Sequence, residues 1–396
     1  MRPSRRLPLP WLAGLGAAIA GAAGIYVWVR PRPLPVAPAI DARLVTLDSV
    51  AVRAAELPHL TSLIVTQHGR RLFEGYFRGM TAERAVNVKS ISKTLLSPLV
   101  GIAIRDGLLR GTDQPLAELL APPLAPPLAD GKRQITLAHL LTMTAGLEGT
   151  SFANYGEWVG SRNWVRDALE RPLVCEPGAC WEYSTGNTHL LSAALTRATG
   201  RSTLAYARAV LFDPLGIPLA PWDRDPQGIY LGGNNMQLRP RDLATIGQLY
   251  LDGGRAGGRQ LVPEAWIRAS WRPQVTSPWN GYDYGYLWWS RELAGERVHF
   301  AWGYGGQFLF VVPRLDATVV ATSSLDRPRE SGQSREVHRF MGRYVIPVLR
   351  QDCGLRIADD DIADCGLRIA DWHDVRPEAG AVNPQSTIRN PQSTGP

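Results

Sequence analysis

The alternation of hydrophobic and polar positions predicts β-strands near both ends of the main body of the chain. LTSLIVTQHGRRLFEGYFRG (60–79) alternates on either side of His68-Gly69, which predicts a hairpin with its turn at that dipeptide. Three segments in the last third of the chain are rich in aromatic and β-branched residues and predict further strands: YGYLWWS (284–290), FLFVVP (308–313) and ATVVATSS (317–324).

Apolar residues recur at helical spacing between these strand segments. The clearest pattern begins at Ser90, includes Pro98 and stops near Gly107. Further helices are predicted at 135–147, 187–200, 241–254 and, after the last strand, 333–349. Strands at both ends around a helical middle predict an α+β fold, in which an antiparallel sheet is flanked by helices and carries a helical subdomain.

The N-terminal segment (residues 1–38) differs from this pattern. Pro10 to Val29 is an uncharged run that is long enough to cross a bilayer core, and arginines precede it. We expect an uncleaved membrane anchor in the inner membrane, joined by a proline-rich linker to a periplasmic domain at 39–350. The alternative is a signal peptide cleaved after Ala20 or Ala22, which would release a secreted protein.

The C-terminal segment (residues 351–396) contains two perfect repeats. DCGLRIAD occurs at 352–359 and 364–371, and NPQST occurs at 383–387 and 390–394. Both repeats can be encoded by one short DNA unit and its complement. We therefore expect a repeat-derived tail that has no fold of its own.

Composition and charge exclude several classes of function. The net charge of +7 is spread without a block of like charges, so no nucleic-acid partner is expected. The sequence has no CxxC and no HExxH, and it predicts no metal and no cofactor. Cys175 and Cys180 flank a Pro-Gly turn, and they form either a small disulfide or two free thiols. The oligomeric state is not indicated.

Lysine is rare in this chain, and its position after Ser90 is informative. Only three of the 43 basic residues are lysines, and Lys93 follows Ser90 by three positions, on the same helix face. The field at a helix N-terminus stabilises an alkoxide, and a lysine held neutral by burial can accept the serine proton. Arginine cannot do this, because it stays charged. Taken alone, the spacing also fits a serine N-cap followed by a solvated lysine.

Four elements in order resemble the serine β-lactamase and penicillin-binding-protein family: SISK (90–93), LAHLLTMTAGL (137–147), WEYSTGNTHLL (181–191) and AWGYGGQFLFVVP (301–313). The resemblance extends over about residues 45 to 348. It implies that Ser90 is the acylated nucleophile and that Lys93 accepts its proton. It also implies that Tyr183, with a pKa lowered by Lys93, protonates the leaving group and later helps to activate water.

Two departures separate the chain from the β-lactamases of that family. Thr185 replaces the asparagine of Tyr-x-Asn, and Gly303 replaces the lysine of Lys-Thr-Gly. The pattern is similar to the branch of 6-aminohexanoate-dimer hydrolases and class C-like esterases, which hydrolyse linear amides or carboxylic esters.

This resemblance also implies the groups that surround the substrate. The backbone N–H groups of Ser90 and Gly306 would hold the oxyanion, although several glycines in WGYGG allow the alignment to slip by one position. The residues expected to contact a small-molecule substrate are Tyr304, Gly305, Thr185 and Tyr155.

The sequence therefore predicts a serine hydrolase that cleaves a carboxylic ester or a linear amide through an acyl-Ser90 intermediate. One alternative is a β-lactamase or a D-Ala-D-Ala-type peptidase that acts on β-lactam or cell-wall substrates. Another alternative is a catalytically inert binding protein on the same scaffold.

Overall fold

The computed structural model describes residues 45–120, 122, 127–326 and 332–357. The predicted anchor or signal segment and its linker lie outside these residues, as does the predicted tail from residue 358 onward. Within the described ranges, no helix is both long enough and apolar enough to cross a bilayer.

Twelve strands are present in the described part of the chain, and they are numbered in chain order: β1 Leu60–Gln67, β2 Arg70–Tyr76, β3 Val86–Asn87, β4 Gln237–Leu238, β5 Arg255–Ala256, β6 Arg259–Gln260, β7 Val275–Thr276, β8 Asp283–Tyr284, β9 Trp289–Leu293, β10 Glu296–Gly303, β11 Gln307–Val312 and β12 Ala317–Ser323. Eight of them form one antiparallel sheet in the order β2-β1-β12-β11-β10-β9-β8-β7. The first and last of the described strands, β1 and β12, pair next to the β2 edge, where Val65 lies opposite Val319. Strands that are distant in the sequence are therefore neighbours in the sheet.

Eleven α-helices lie in the same ranges: α1 Leu47–Glu56, α2 Ile91–Arg105, α3 Leu137–Leu141, α4 Tyr155–Gly160, α5 Trp164–Glu170, α6 Thr185–Thr199, α7 Thr203–Ala207, α8 Pro240–Leu251, α9 Glu264–Trp271, α10 Gln333–Phe340 and α11 Ile346–Ile357. Helices α3 to α9 belong to the middle of the chain, and α10 and α11 follow the last strand. This arrangement confirms the predicted α+β class with a helical middle region.

Helix α2 is the central element of the core. Its residues from Ile91 to Ile104 are buried, because it packs against β10 and β11 of the sheet as well as against α6 and α9. Pro98 lies inside the helix, as the sequence placed it. The N-terminus of α2, and with it Ser90, therefore lies where the sheet and the helical region meet.

Two boundaries differ from the sequence-based expectation. The single strand predicted at 284–290 is two strands, because Leu287 adopts a left-handed conformation (φ 64°) and interrupts the extended backbone. Long-range bonds hold it: the Leu287 N–H donates to the Leu141 carbonyl, and the Leu287 carbonyl accepts from Thr94. At the other end, the helix predicted at 333–349 is divided between α10 and α11, and α11 ends at Ile357.

Candidate active site

Ser90 lies at the N-cap of α2, immediately after a residue with unusual backbone geometry. Lys89 has a φ of 52°, in the left-handed region that a lysine rarely occupies. The side-chain oxygen of Asn87 accepts the Lys89 N–H at 2.9 Å, which holds the turn in place. Constrained backbone of this kind is common at functional sites, and here it fixes the direction of the Ser90 side chain.

Lys93 is buried one turn after Ser90 and contacts three oxygen atoms. Its Nζ lies 3.2 Å from the hydroxyl of Ser90, 3.1 Å from that of Thr185 and 2.7 Å from the carbonyl oxygen of Gly233. The residue is only 2% exposed. An ammonium group has three N–H donors, so this arrangement can satisfy all three.

The charge state of Lys93 is set by its burial. Removal from water lowers the pKa of Lys93 from its usual 10.5 to about 7. A neutral amine keeps two N–H donors and gains one lone pair. If the Gly233 carbonyl and the Thr185 hydroxyl accept the two N–H groups, the lone pair faces the Ser90 hydroxyl. The site therefore accommodates both protonation states of Lys93 without rearrangement.

Tyr183 lies beside the same pair, but its pKa is not lowered as we expected. Burial raises the pKa of Tyr183 to about 12, an effect only partly offset by its hydrogen bond with Ser90. Lys93 lies over the ring, with its Nζ 5.0 Å from the centroid. A neutral Lys93 cannot stabilise a phenolate, which is the physical reason that the expectation was wrong. Near neutral pH, the Tyr183 hydroxyl is therefore protonated.

Thr185 occupies the position that the resemblance assigns to an asparagine. It begins α6, and its backbone N–H donates to the hydroxyl of Ser151 at 2.9 Å. Its own hydroxyl lies 2.9 Å from the same oxygen while contacting Lys93. Thr185 therefore acts on Lys93 directly, and Ser151, which the sequence did not single out, orients it.

The hairpin between β10 and β11 brings a glycine-rich turn next to Ser90. Tyr304 and Gly305 line a cavity together with Ser90. Gly305 and Gly306 both have φ near 89°, a conformation that favours glycine. A Cβ at Gly306 would lie 2.6 Å from Gln333, so the turn can approach α10 only with glycine there. The Gly305–Gly306 peptide is consequently well placed beside Ser90.

Two of the predicted contact residues, Thr185 and Tyr155, are not among the described lining of this cavity. Tyr155 lies against other side chains. Its ring packs against Trp158, and its hydroxyl accepts a hydrogen bond from Asn234 at 3.3 Å. The charge of Lys89 interacts with Asp223, and Lys89 does not contribute to the lowered pKa of Lys93. Burial, and not a neighbouring positive charge, thus accounts for the low pKa of Lys93.

The cavity beside Ser90 has a volume of about 320 Å³, and half of its described lining residues are aromatic. Besides Tyr183 and Tyr304, the aromatic residues in its described lining are Phe152, Trp279, Trp289 and Trp302. None of these four was predicted from the sequence to lie at the site. The tryptophans stand out as a cluster between 279 and 302 in the sequence, but that cluster is equally expected of a buried sheet.

Cys175 and Cys180 are joined by a disulfide in the structure. The loop that they close, with the residue before it, packs against the segment after α3: the N–H groups of Val174 and Gly178 donate to the carbonyls of Gly146 and Thr144. The chain continues directly from this loop to Tyr183. Among the described residues, no group of three or more His, Cys, Asp or Glu side chains could hold a metal ion.

Comparison with known proteins gives consistent results. The profile of the protein family described as Beta-lactamase matches residues 58–340. A 6-aminohexanoate-dimer hydrolase of Paenarthrobacter ureafaciens is 26% identical over 339 residues, which cover 78% of this chain and 84% of that protein.

Solved structures share the fold at lower sequence identity. An octameric penicillin-binding protein homologue from Pyrococcus abyssi superposes with a TM-score of 0.59 at 20% identity, covering 77% of this chain and 80% of the other. A D-stereospecific amidohydrolase from Streptomyces gives a TM-score of 0.56, also at 20% identity, covering 73% and 95%. These likenesses concern the fold.

Proposed function

Because the chain belongs to the β-lactamase family of serine hydrolases, we propose that it cleaves a carboxylic ester or a linear amide through an acyl-Ser90 intermediate. The observation that carries this proposal is the contact between Ser90 and a buried lysine. The two side chains are 3.2 Å apart, and the pKa of Lys93 is lowered to about 7. A base with a pKa near the working pH is the most effective one for general base catalysis.

Acylation begins with transfer of the Ser90 proton to the lone pair of Lys93. The serine oxygen then attacks the substrate carbonyl, and the oxyanion is held by the N–H of Ser90 and an N–H of the Gly305–Gly306 turn, for which Gly306 is our candidate. The oxyanion geometry is supported by the position of Gly305 in the cavity wall beside Ser90.

Tyr183 supplies the proton that the leaving group needs. Its pKa of about 12 keeps the phenol protonated at neutral pH, and its hydrogen bond with Ser90 places it next to the bond that breaks. Lys93 then returns its proton to Tyr183, so at the end of acylation Lys93 is again neutral and Tyr183 is again protonated. In deacylation, neutral Lys93 takes a proton from water while the water oxygen attacks the acyl carbon. The bond from that carbon to the Ser90 oxygen then breaks, Lys93 returns the proton to Ser90, and the acid leaves.

The preference for esters or linear amides over β-lactams rests on two observations. Thr185 and Gly303 replace the two polar side chains that the resemblance associates with β-lactam binding. In addition, the relative from Paenarthrobacter ureafaciens is a 6-aminohexanoate-dimer hydrolase and matches most of the chain.

A substrate panel with covalent labelling tests the proposal. The protein is incubated with a fluorophosphonate probe, p-nitrophenyl acetate, acetyl p-nitroanilide and penicillin, and the labelled peptide is identified by mass spectrometry. We expect labelling at Ser90 and turnover of the ester or anilide. Acylation by penicillin with the ester untouched would instead favour the β-lactamase or peptidase alternative.

Two serine variants complete this experiment. Ser90→Ala should abolish labelling and lower turnover by at least about 1000-fold. Ser161→Ala is the matched control, because the Ser161 hydroxyl has no hydrogen-bond partner among the described residues and lies outside the site. Unchanged ester turnover in Ser90→Ala would refute the catalytic role and favour an inert binding protein.

We also infer an extracytoplasmic location for the folded domain. The Cys175–Cys180 disulfide supports it, because such bonds persist mainly in oxidising compartments. Thiol alkylation of the protein in intact cells, before and after reduction, tests this. If both cysteines are alkylated without reduction, the inference is wrong.

A further inference from the structure

A continuous series of aromatic rings forms one wall of the cavity beside Ser90. Successive ring centroids are 5.2 Å apart from Phe152 to Trp279, 5.4 Å from Trp279 to Tyr183 and 6.0 Å from Tyr183 to Trp289. Trp302 continues the series at 5.6 Å from Trp289. These spacings lie within the range in which aromatic rings attract each other, so the wall is packed and preformed.

The wall is held from behind as well as along its length. Trp181 is buried and packs edge-on against Trp279 and Trp289, with centroids 4.6 and 5.7 Å away. The indole N–H of Trp302 donates to the hydroxyl of Ser334 on α10 at 3.2 Å. A preformed aromatic wall binds apolar groups at low entropic cost, because little side-chain freedom is lost on binding.

The charge around the cavity restricts what the wall can bind. Aromatic rings attract both apolar groups and quaternary ammonium ions. However, Arg335 has the only formally charged side chain in the described lining of the cavity. A positive side chain repels a cationic ligand in a site of low dielectric constant. The observations therefore favour an apolar group without positive charge.

The position of Tyr183 indicates which part of the substrate enters the cavity. Its hydroxyl contacts Ser90, while its ring is part of the aromatic wall. A group that protonates the leaving atom must lie within hydrogen-bonding distance of it. The rest of the leaving group then extends along the ring of Tyr183 and into the cavity.

We infer that the aromatic cavity receives the leaving group of the substrate, and that this group is a bulky apolar alcohol or amine without positive charge. The inference rests on the proposed acyl-transfer function. In the reaction, the bond between the carbonyl carbon and the leaving oxygen or nitrogen breaks, the acyl group passes to Ser90, and the leaving atom takes the proton of Tyr183. Water then releases the acid from Ser90.

A series of acetate esters isolates the contribution of the leaving group to the rate, because every member gives the same acetyl-enzyme. The series is methyl acetate, cyclohexylmethyl acetate, 3,3-dimethylbutyl acetate and acetylcholine, with kcat/KM measured for each. We expect cyclohexylmethyl acetate to exceed methyl acetate by at least about tenfold, which is the usual gain from filling an apolar pocket. Acetylcholine should fall below its neutral isostere, 3,3-dimethylbutyl acetate, by a similar factor.

An isomeric ester tests the assignment to the leaving-group side. Methyl cyclohexylacetate carries the same ring on the acyl part, and it should be the poorer substrate of the two isomers. If it is the better one, the cavity binds the acyl group and our assignment is overturned. Equal values for all neutral esters would likewise overturn the inference.

Variants connect the preference to the wall. Trp279→Ala should lower the ratio of cyclohexylmethyl to methyl acetate several-fold, and Trp279 is partly exposed, so the fold tolerates the change. Leu108→Ala is the control, since Leu108 is an exposed apolar residue that follows the C-terminal end of α2. If every ester is hydrolysed at Ser90 without selectivity, only this inference is wrong. If no ester or amide is hydrolysed in a Ser90-dependent way, the proposed function is wrong as well.

Discussion

The side-chain nitrogen of Lys93 lies 2.7 Å from the carbonyl oxygen of Gly233, a residue 140 positions away in the sequence. This is the shortest of the three hydrogen-bonding contacts of that nitrogen, the others being 3.2 Å to Ser90 and 3.1 Å to Thr185. A carbonyl can only accept a hydrogen bond, so it always takes one N–H of Lys93. Gly233 therefore helps to decide where the lone pair of neutral Lys93 points.

The close approach of this carbonyl requires glycine. A Cβ at Gly233 would lie 2.4 Å from the Thr188 hydroxyl oxygen and 3.1 Å from the nitrogen of Lys93. We predict that Gly233→Ala lowers kcat/KM by about 100-fold, because a displacement on the order of 1 Å at a catalytic group has such an effect. The pH midpoint of kcat/KM should also fall, since the charged form of Lys93 loses an acceptor.

Gly160→Ala is the matched control for that variant. Gly160 ends α4, and a Cβ there would meet no atom within 4 Å. Its kinetics should equal those of the wild-type protein. A Gly233→Ala variant that keeps full activity and the same pH midpoint would contradict the positioning role of the carbonyl.

The pKa of Lys93 predicts how activity depends on pH. Only the neutral amine can accept the Ser90 proton, and the pKa of Lys93 is lowered to about 7. The fraction of active enzyme therefore rises with pH, and kcat/KM should climb through a midpoint near 7 to a plateau. Tyr183, with a pKa raised to about 12, stays protonated over this range. A rate–pH profile between pH 5 and 10 checks this, and a midpoint near 10 would contradict it.

The same shift predicts a dependence of stability on pH. Lys93 has a folded pKa of about 7 against its usual 10.5, so between these values the unfolded chain binds a proton that the folded protein lacks. Stability then rises with pH, by up to about 1.4 kcal/mol per pH unit, and the contribution is constant below 7 and above 10.5. Lys93→Met removes this group, so the difference in unfolding free energy between wild type and variant isolates it. Urea unfolding of both proteins at pH 7, 8 and 9 should show that the unfolding free energy of the wild type rises relative to that of Lys93→Met as the pH increases. A difference that does not depend on pH would contradict the burial argument.

The sequence predicted the elements with strong local patterns and missed those set by distant contacts. The hairpin at His68-Gly69 and helix α2 carry regular alternation and a long apolar period, and both were found. The interruption at Leu287 depends on hydrogen bonds with Leu141 and Thr94, which no local pattern encodes.

In the candidate site, too, the features set by local spacing were predicted and those set by distant contacts were missed. Ser90 and Lys93 are one helical turn apart, so their spacing alone suggested that they meet. The acceptor at Gly233 is a backbone carbonyl, which every residue has, and the double glycine at 232–233 indicates a close approach without saying to what. The pKa of Tyr183 required knowledge of burial, which a motif does not provide.

The Cys175–Cys180 disulfide should contribute modestly to stability. It closes a short loop, for which chain entropy gives about 2 kcal/mol, and backbone hydrogen bonds from Val174 and Gly178 already hold that loop. We expect the double variant Cys175→Ser/Cys180→Ser to melt a few degrees lower than the oxidised wild type. Reductant should lower the melting temperature of the wild type but leave the double variant unchanged. If reductant shifts both equally, the effect does not come from this bond.

Replacement of Tyr183 by phenylalanine tests the proton donor without emptying the core. The ring packs among Phe152, Trp279 and Trp289, and phenylalanine preserves that packing while removing only the hydroxyl. We expect kcat/KM to fall by about 100- to 10,000-fold, the usual contribution of a general acid. The loss should be smaller for p-nitrophenyl acetate than for an alkyl acetate, because p-nitrophenolate departs without protonation.

Tyr284→Phe is the control, since Tyr284 is buried against Trp181 and Trp289 and lies outside the described lining of the cavity. Equal losses for both leaving groups would mean that the Tyr183 hydroxyl orients Ser90 and does not protonate the leaving atom.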